Sequence, residues 1–433
     1  MALTGRRTFV GFGFGAIQAG LFLHEAFRSG GFRRLVVAEV QPEVVNAVRQ
    51  SQGWFSINIA HFDRVETAGV GPLEILDPAR PHDRIRHIEA LAEAEEIATA
   101  VPSVRHYISD GPGSIHRLLA EGLRKKATDG GPRAIIYAAE NHNHAAEILE
   151  KAVFELIPPG EREAIAAQVQ FLNTVIGKMS GIVTDPLELD EQGLTTVSPA
   201  LVRAVLVESF NRILISRIRF GEAPDAPPFQ RGIAVFQEKD DLLPFEEAKL
   251  YGHNATHALA AYLGSVRGVQ RIADLRRFSG VMRFLRAAFL EESGGALNRK
   301  HAGVDPLFTP EGYREYADDL LARMVNPYLQ DTVERVGRDP ERKLGWDDRL
   351  TGTVRLALRQ GLLPWRYALG IASALESMNC GDQPPAKSLD PLWAGASPDP
   401  GEREAVLQTV EYSRIRLHHW RDSGFQDEVL EAN

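Results

Sequence analysis

The sequence predicts two domains: an α/β domain built on a doubly wound parallel sheet, followed by an all-helical domain. Its 433 residues are too many for one ordinary core. Strand-type and helix-type segments alternate over residues 1–150, as they do in a doubly wound sheet. After about residue 195, helical patterns follow one another with almost no strand signal. We therefore predict domains at 1–195 and 196–433.

The first domain opens with a βαβ unit, and the same alternation continues to residue 141. Pro42 suits the first turn of a helix, and two glycines end the helix before it. In chain order the predicted elements are the strand Thr8–Phe12, the turn Gly13–Gly15, the helix Ala16–Phe27, the strand 33–40, the helix 42–50, the strand 96–103, the helix 113–127 and the strand 132–141.

Helical patterns dominate the second half of the chain. The predicted helices lie at 199–220, 244–264, 272–293 and 310–324, and the predicted loops lie at 221–230 and 388–402.

The amino-acid composition limits the kinds of molecule that this protein is expected to bind. The net charge of −9 argues against a nucleic-acid surface but allows a local basic pocket. No run of eighteen apolar residues occurs, so we predict no membrane span. The single cysteine, Cys380, excludes an internal disulfide and fits a reducing cytoplasm. We expect a small-molecule partner and a monomer or homodimer.

Residues 4–23 allow one alternative interpretation. Arg6 and Arg7 before an apolar run are typical of a twin-arginine export signal. However, the run continues from His24 into the rest of an amphipathic helix, without a small-residue cleavage site. Cleavage would also remove the first strand, so we interpret the segment as the start of the fold.

The glycine turn after the first strand is typical of a dinucleotide phosphate site at a helix N-terminus. Gly11, Gly13 and Ala16 fit the pattern G-x-G-x-x-A, whereas Gly13 and Gly15 fit G-x-G with Gln18 in the third position. We prefer the second register because it shortens the gap to the acidic residue that ends the next strand.

That acidic residue is Glu39, 26 residues after Gly13. A carboxylate at this position is expected to hold the ribose, and it would repel a 2′-phosphate, so NAD is favoured over NADP. The alternative is a glycine-rich turn that binds no cofactor. The predicted cofactor-binding residues of this Rossmann-type domain are Gly13, Phe14, Gly15, Ala16, Ile17 and Glu39.

A second group of polar residues lies on the predicted helix 244–264. Lys249, His253 and His257 recur at i, i+4 and i+8, and Asn254 lies about 140° round from Lys249 on an ideal helix. A lysine whose charge is disfavoured by burial can take a proton from an alcohol, and an asparagine can stabilise the resulting oxygen. The alternative is a solvated helix face with a core histidine.

The chain resembles the polyol-specific long-chain dehydrogenases, the mannitol dehydrogenase family, and within it the members that act on mannitol 1-phosphate. The family signature K-x4-N-x2-H occurs as Lys249, Asn254 and His257. The resemblance covers about residues 8–350. It includes the stretches "FGFGAIQAG" (12–20), "AEVQ" (38–41), "TAVPS" (99–103), "AAEN" (138–141), "LEESG" (290–294) and "NPYLQDTVERVGRDPERKL" (326–344).

The resemblance implies a catalytic role for four residues. Lys249 would be the general acid/base, Asn254 would form one arm of an oxyanion hole, and His257 would orient the substrate or the lysine. Asn173 sits where the family carries an Asn or Asp beside the reacting carbon. The family works with NAD and without a metal, so we predict no metal at "ENHNH" (140–144).

The resemblance also implies binding roles. Asn141 would lie near the nicotinamide, and Arg335 and Lys343 would hold substrate oxygens or a phosphate. The predicted substrate wall departs from the family pattern, since Gly177-Lys178 replaces Asp-Arg and Ser216 replaces an Asp.

We therefore predict an NAD-dependent oxidoreductase that interconverts a polyol, or a polyol phosphate of the mannitol 1-phosphate type, with the corresponding ketose or ketose phosphate. One alternative is a dehydrogenase of the same type acting on a different sugar acid or carbohydrate biosynthetic intermediate, which Ser216 and Gly177 favour. Another is a protein that binds NAD without turnover and senses its redox state, which the intact signature disfavours.

Overall fold

The chain divides into two compact units, Met1–Leu242 and Leu243–Asn433. The computed structural model describes residues 3, 5–219, 227–329 and 331–431. The predicted boundary after residue 195 lies inside the first unit and is corrected to residue 242, because strands beyond residue 195 complete the sheets of that unit. Among the described residues, no helix is long and apolar enough to cross a membrane.

The first unit holds the strands. They are, in chain order, β1 (Arg7–Phe12), β2 (Phe32–Ala38), β3 (Phe55–Ala60), β4 (Val65–Val70), β5 (Leu73–Leu76), β6 (Glu96–Thr99), β7 (Ala134–Ala138), β8 (Val169–Ile176), β9 (Ser180–Val183), β10 (Ala204–Glu208), β11 (Ile213–Ser216) and β12 (Phe236–Lys239). Eight of them form a sheet in the order β12-β11-β8-β7-β6-β1-β2-β5, and the others form a sheet in the order β4-β3-β10-β9.

The larger sheet contains the predicted doubly wound core. The strands from β5 through β2, β1, β6 and β7 to β8 are parallel, and their order is that of a Rossmann fold. Neighbouring residues of β1 enter different cores, since Phe9 packs on one face and Val10 on the other. Burial on both faces explains why these strands are continuous apolar runs in the sequence.

The predicted helix at 199–220 is wrong over its described residues. That segment contains β10, which joins the smaller sheet, and β11, which pairs antiparallel with β8. The side chains of β10 are all buried. An apolar strand buried on both faces has no alternation that separates it from a helix, although its β-branched residues favoured a strand.

The helices of the first unit cover the strands and largely match the predictions. The predicted helix 42–50 is confirmed, and the helix after the glycine turn contains a π-helical segment, Gln18–Leu23. The α-helices are α1 (His24–Ser29), α2 (Pro42–Gln50), α3 (Pro81–Glu93), α4 (Ile115–Asp129), α5 (Ala145–Leu156), α6 (Pro159–Ala166) and α7 (Pro186–Glu191), with a 3₁₀ turn at Val104–Tyr107.

The second unit is helical, as predicted. Its α-helices are α8 (Leu243–Glu247), α9 (Ala255–Val266), α10 (Ser279–Ala287), α11 (Gly295–Lys300), α12 (Pro310–Met324), α13 (Val333–Gly337), α14 (Pro340–Lys343), α15 (Arg349–Arg359), α16 (Trp365–Ser377), α17 (Pro385–Trp393), α18 (Pro400–Asp422) and α19 (Asp427–Glu431). Two π-helical segments, Ala248–Asn254 and Ala288–Gly294, continue α8 and α10, and 3₁₀ turns lie at Ile272–Arg277, Pro306–Phe308 and Ala394–Ala396.

Of the two predicted loops, the structure contradicts most of one, and most of the other lies outside the described residues. The loop at 388–402 is largely wrong, because α17 continues through Pro391 to Trp393 and α18 begins at Pro400. Asp399 caps α18, since its side chain accepts a hydrogen bond from the backbone N–H of Glu402. Most of the predicted loop at 221–230 lies outside the described residues, and residues 227–230 are neither helix nor strand.

Candidate active site

The glycine turn forms at the carboxyl end of β1. β1 ends at Phe12, and Gly13 adopts a φ of 81°, which only glycine reaches without strain. A Cβ on Gly13 would lie 3.0 Å from the carbonyl oxygen of Ala100, so the turn packs closely against the segment after β6. These observations support the register that we preferred, with Gly13 and Gly15 in the turn.

Gln18 stands where a third glycine is common, and the structure shows how it is accommodated. Gly11 lies inside β1, and a Cβ there would be 2.2 Å from Nε2 of Gln18. The long side chain therefore fits because residue 11 has none. The Gln18 amide is fully buried, and neither of its polar atoms has a hydrogen-bond partner among the described residues.

Glu39 follows β2 and fixes the backbone around the turn. Its buried carboxylate accepts hydrogen bonds from the backbone N–H of Phe14 at 2.7 Å, of Val40 at 2.7 Å and of Gln41 at 2.9 Å. A carboxylate offers about four acceptor positions, so capacity for a ribose hydroxyl remains. The turn, the helix N-terminus formed by Ala16 and Ile17, and this carboxylate fit the ribose and phosphates of NAD.

β7 ends at Ala138, so Asn141 lies three residues beyond its carboxyl end, and its contact with the nicotinamide stays a prediction. The residue before it, Glu140, is buried and accepts hydrogen bonds from Thr99 Oγ1 and from the backbone N–H of Val101, each at 2.9 Å, and from the Tyr107 hydroxyl. Burial raises the pKa of Glu140. These bonds tie the segment after β6 to the end of β7, a positioning role that our sequence analysis missed.

Asn173 and Ser216, two residues predicted to lie near the substrate, are on neighbouring strands at the carboxyl end of β7. Asn173 Oδ1 accepts from the backbone N–H of Ala146 at 2.9 Å, and Nδ2 donates to both carboxylate oxygens of Glu147. These bonds hold the amide against α5, and its predicted contact with the substrate stays a prediction. Ser216 ends β11, in which Ile215 pairs with Thr174 of β8, so it lies level with Asn173 and with Ala138 at the carboxyl end of β7.

In the second unit, the signature lysine and asparagine lie on the π-helical segment Ala248–Asn254. Backbone bonds in a π-helix link residues five apart, so Asn254 follows Lys249 by one hydrogen-bonded turn. The expected separation of about 140° assumed α-helical geometry and is corrected, since the wider turn brings the two residues towards one face. π-helical turns are rare, and they occur frequently at functional sites.

Lys249 is half-buried, and its environment suits proton transfer. Burial and, next, the positive charge of Arg349 lower the pKa of Lys249 to about 8, against the opposing charge of Glu246. A lysine in this range is neutral often enough near neutral pH to act as a base, and it can also return a proton.

His257 lies next to a carboxylate that our sequence analysis missed, although its Nε2 has no hydrogen-bond partner among the described residues. Its Nε2 lies 3.4 Å from Oδ2 of the buried Asp331, and Arg335 pairs with Oδ1 of the same aspartate. Burial and the charge of Arg335 lower the pKa of His257 to about 3, so the ring is neutral at physiological pH. The spacing of Asp331 and Arg335, four residues apart, is the signal that could have revealed the pair.

The neighbouring helices bring the predicted substrate residues to this site. The Tyr262 hydroxyl donates to the carbonyl of Gly337 at 2.9 Å, which holds α13 against α9. Thr353 Oγ1 donates to the carbonyl of Tyr251 at 3.1 Å, which holds α15 against the π-helical segment. These contacts bring the helices of Arg335 and Arg349 against the segment of the signature residues, and the charge of Lys343 also acts on His257.

Lys343 is buried, and burial followed by the charges of Arg349 and Arg342 lowers its pKa to about 8. The charges of Arg349 and Arg323 also act on His253 and His257. The charges of Arg335 and Lys343 act on His257 as well, while Asp339 and Asp348 act on Lys343 in the opposite direction. The site is therefore suited to an anionic ligand inside an acidic protein.

A Rossmann-type unit and a helical unit that carries a lysine, an asparagine and a histidine define a nucleotide-dependent dehydrogenase. The mannitol dehydrogenase Rossmann domain matches residues 7–225, and the mannitol dehydrogenase C-terminal domain matches residues 241–411. The chain belongs to the mannitol dehydrogenase family, and the predicted family is confirmed.

Individual relatives and solved structures are consistent with this family assignment. The chain is 31% identical to mannitol-1-phosphate 5-dehydrogenase of Bacillus licheniformis over 387 residues, which are 88% of this chain and 91% of the relative. A D-sorbitol dehydrogenase crystal structure has a TM-score of 0.74 at 16% identity, covering 99% of this chain and 96% of that one. Mannitol 2-dehydrogenase of Pseudomonas fluorescens, solved with NAD and D-mannitol, has a TM-score of 0.69 at 16% identity, covering 100% and 95%. These two structures confirm the fold.

Proposed function

We propose that this protein is an NAD-dependent dehydrogenase that interconverts a polyol phosphate of the mannitol 1-phosphate type with the corresponding ketose phosphate. The observation that carries the proposal is a half-buried lysine with a lowered pKa, placed on a π-helical turn with Asn254 and surrounded by further cations. The lysine fits proton transfer to and from an alcohol, and the cations fit a phosphorylated substrate.

NAD is the cofactor, and the first unit supports this assignment. Gly13 and Gly15 leave room for the pyrophosphate at a helix N-terminus, and Glu39 can accept from a ribose hydroxyl. The carboxylate would repel the 2′-phosphate of NADP. Asn141 stays a proposed contact near the nicotinamide, because it follows the carboxyl end of β7.

The residues of the second unit divide the chemistry among them. When bound, NAD supplies the acceptor for the hydride that leaves the carbinol carbon. Nζ of Lys249 takes the hydroxyl proton in oxidation and returns it in reduction. The side-chain amide of Asn254 donates a hydrogen bond to the developing carbonyl oxygen. His257, neutral and next to Asp331, orients the substrate, while Arg335 and Lys343 bind its oxygens or phosphate.

The direct test is the loss of NADH absorbance when purified protein meets fructose 6-phosphate, with free fructose as the matched control. Turnover of the phosphate alone supports the proposal. Turnover of fructose alone would contradict the phosphorylated substrate and leave the dehydrogenase chemistry standing. Unchanged activity in Lys249→Ala would contradict the mechanism.

A dehydrogenase for a sugar acid is the second candidate, because guanidinium groups pair with carboxylates as well as with phosphates. The absence of an acidic side chain at Ser216 favours it, since an aspartate there would repel a carboxylate. A panel of hexonic acids and hexitol phosphates, each offered with NAD, distinguishes the two candidates.

A further inference from the structure

Arg349 is the charged residue that connects the two lysines of the site. It is the first residue of α15, and Thr353, one turn later, fixes that helix to the π-helical segment through the carbonyl of Tyr251. A Cβ on Gly352 would be 2.5 Å from the Tyr251 ring, so α15 packs directly on that segment. Arg349 therefore lies at a helix end that is held next to the segment carrying Lys249.

The guanidinium is enclosed and only partly bonded. Its side chain is 13% exposed, and Nε donates to Oδ1 of Asp348 at 2.9 Å. Among the described residues, no acceptor is bonded to its two terminal nitrogens. The edge formed by the two terminal nitrogens of a planar guanidinium is suited to bind an oxyanion with two parallel hydrogen bonds.

Its charge reaches the residues to which we assign catalysis and substrate binding. After burial, Arg349 is the largest cause of the lowered pKa of both Lys249 and Lys343, and it also lowers the pKa of His257. The guanidinium thus acts electrostatically on both the proton-transfer lysine and the proposed phosphate ligand.

We propose that Arg349, together with Lys343, holds the phosphate of the substrate and so determines the preference for a phosphorylated over a free sugar. This inference rests on the proposed function. The family signature and the basic residues implied by the resemblance do not include Arg349.

Arg342 provides a matched control for Arg349. It bonds the same aspartate, with Nη1 at 3.3 Å from Oδ2 of Asp348, but its side chain is 52% exposed. Replacing either arginine with glutamine therefore removes one positive charge and one partner of Asp348. Only the Arg349→Gln change removes the enclosed guanidinium.

The experiment measures KM and kcat for fructose 6-phosphate with NADH in the wild type, Arg349→Gln and Arg342→Gln. We expect Arg349→Gln to raise KM about 10- to 100-fold, the range for losing a hydrogen bond between charged groups, with kcat changed less than about threefold. Arg342→Gln should match the wild type. Equal effects of the two variants, or a loss confined to kcat, would overturn the assignment.

A second measurement separates this inference from the proposed function. Calorimetric titration with inorganic phosphate tests the anion site without turnover. One outcome is that fructose 6-phosphate is not a substrate while phosphate binding is weakened only in Arg349→Gln. That result would contradict the proposed substrate and support Arg349 as an anion ligand. Phosphate binding that is the same in all three proteins would overturn the role of Arg349.

Thermal unfolding shows whether each variant folds. If Arg349→Gln does not fold, Arg349→Lys replaces it, since lysine keeps the charge and loses the planar fork. That variant should raise KM for the sugar phosphate at least threefold, and an unchanged KM would overturn the assignment.

Discussion

The protonation of Lys249 predicts the pH dependence of the reaction. Its pKa is lowered from 10.5 to about 8, mainly by burial and then by Arg349. At pH 7 about one such lysine in ten is neutral, compared with roughly one in three thousand at the unperturbed pKa. The environment therefore raises the population of the reactive base about 300-fold at that pH.

We expect kcat/KM for polyol phosphate oxidation to rise with pH through about 8 and to level off above about 9, because oxidation requires the neutral amine. The reductive direction requires the protonated amine and should fall through the same pH. Stopped or continuous NADH assays at saturating cofactor, from pH 6 to 10, measure both. A profile that is flat across this range would refute the reasoning.

Other groups in the site can be separated from Lys249. His257 has a pKa of about 3 and Tyr251 one of about 12, so neither titrates near 8. Lys343 does titrate there, with a pKa of about 8. Lys343→Arg keeps a charge that does not titrate and should retain the inflection. Loss of the inflection in that variant would assign it to Lys343 instead.

Three further substitutions test separate parts of the site. Asn254→Ala should lower kcat about 100-fold and change KM by no more than a few-fold, because the developing carbonyl oxygen of the substrate loses a hydrogen-bond donor mainly in the transition state. A change in KM alone would contradict this role of Asn254. Glu39→Gln should raise the Kd for NADH at least about tenfold, or about 1.4 kcal/mol, because an amide has one acceptor oxygen for the three backbone N–H groups. NADH fluorescence measures this Kd. An unchanged Kd would exclude the carboxylate as a cofactor ligand. Gly11→Ala should lower the free energy of unfolding by about 1–3 kcal/mol through the contact with Gln18. Adding Gln18→Ala should restore most of that loss in chemical denaturation, and additive effects would contradict the contact.

Local patterns predicted the Rossmann core well. β1 was predicted from a short apolar run before a glycine turn, α2 from a proline at a helix start, and the role of Glu39 from its spacing to that turn. The segment 199–220 failed because burial on both faces removes the alternation that marks a strand. The pairings that make these residues strands include those of β10 with β3 and of β11 with β8, which are distant in sequence.

The signature residues of the candidate site could be predicted from the sequence. The residues that pack around them could be predicted less well. A periodicity of 100° per residue cannot reveal a π-helical turn, so the relation between Lys249 and Asn254 needed the structure. The bonds that Asn173 makes to Glu147 depend on how α5 packs, which no motif records. Arg349 was missed because its proximity to Lys249 comes from the packing of α15, one hundred residues later in the chain.

The π-helical segment makes the site sensitive to residue number as well as to residue type. Removing one residue between Lys249 and Asn254 would let the segment close as an ordinary α-helix and would turn everything after it by about 100°. His257 and the face of α9 that meets α13 would rotate with it. Evolution can therefore exchange side chains along this segment far more easily than it can shorten it, and single-residue deletions there should be rarer among functional variants than substitutions.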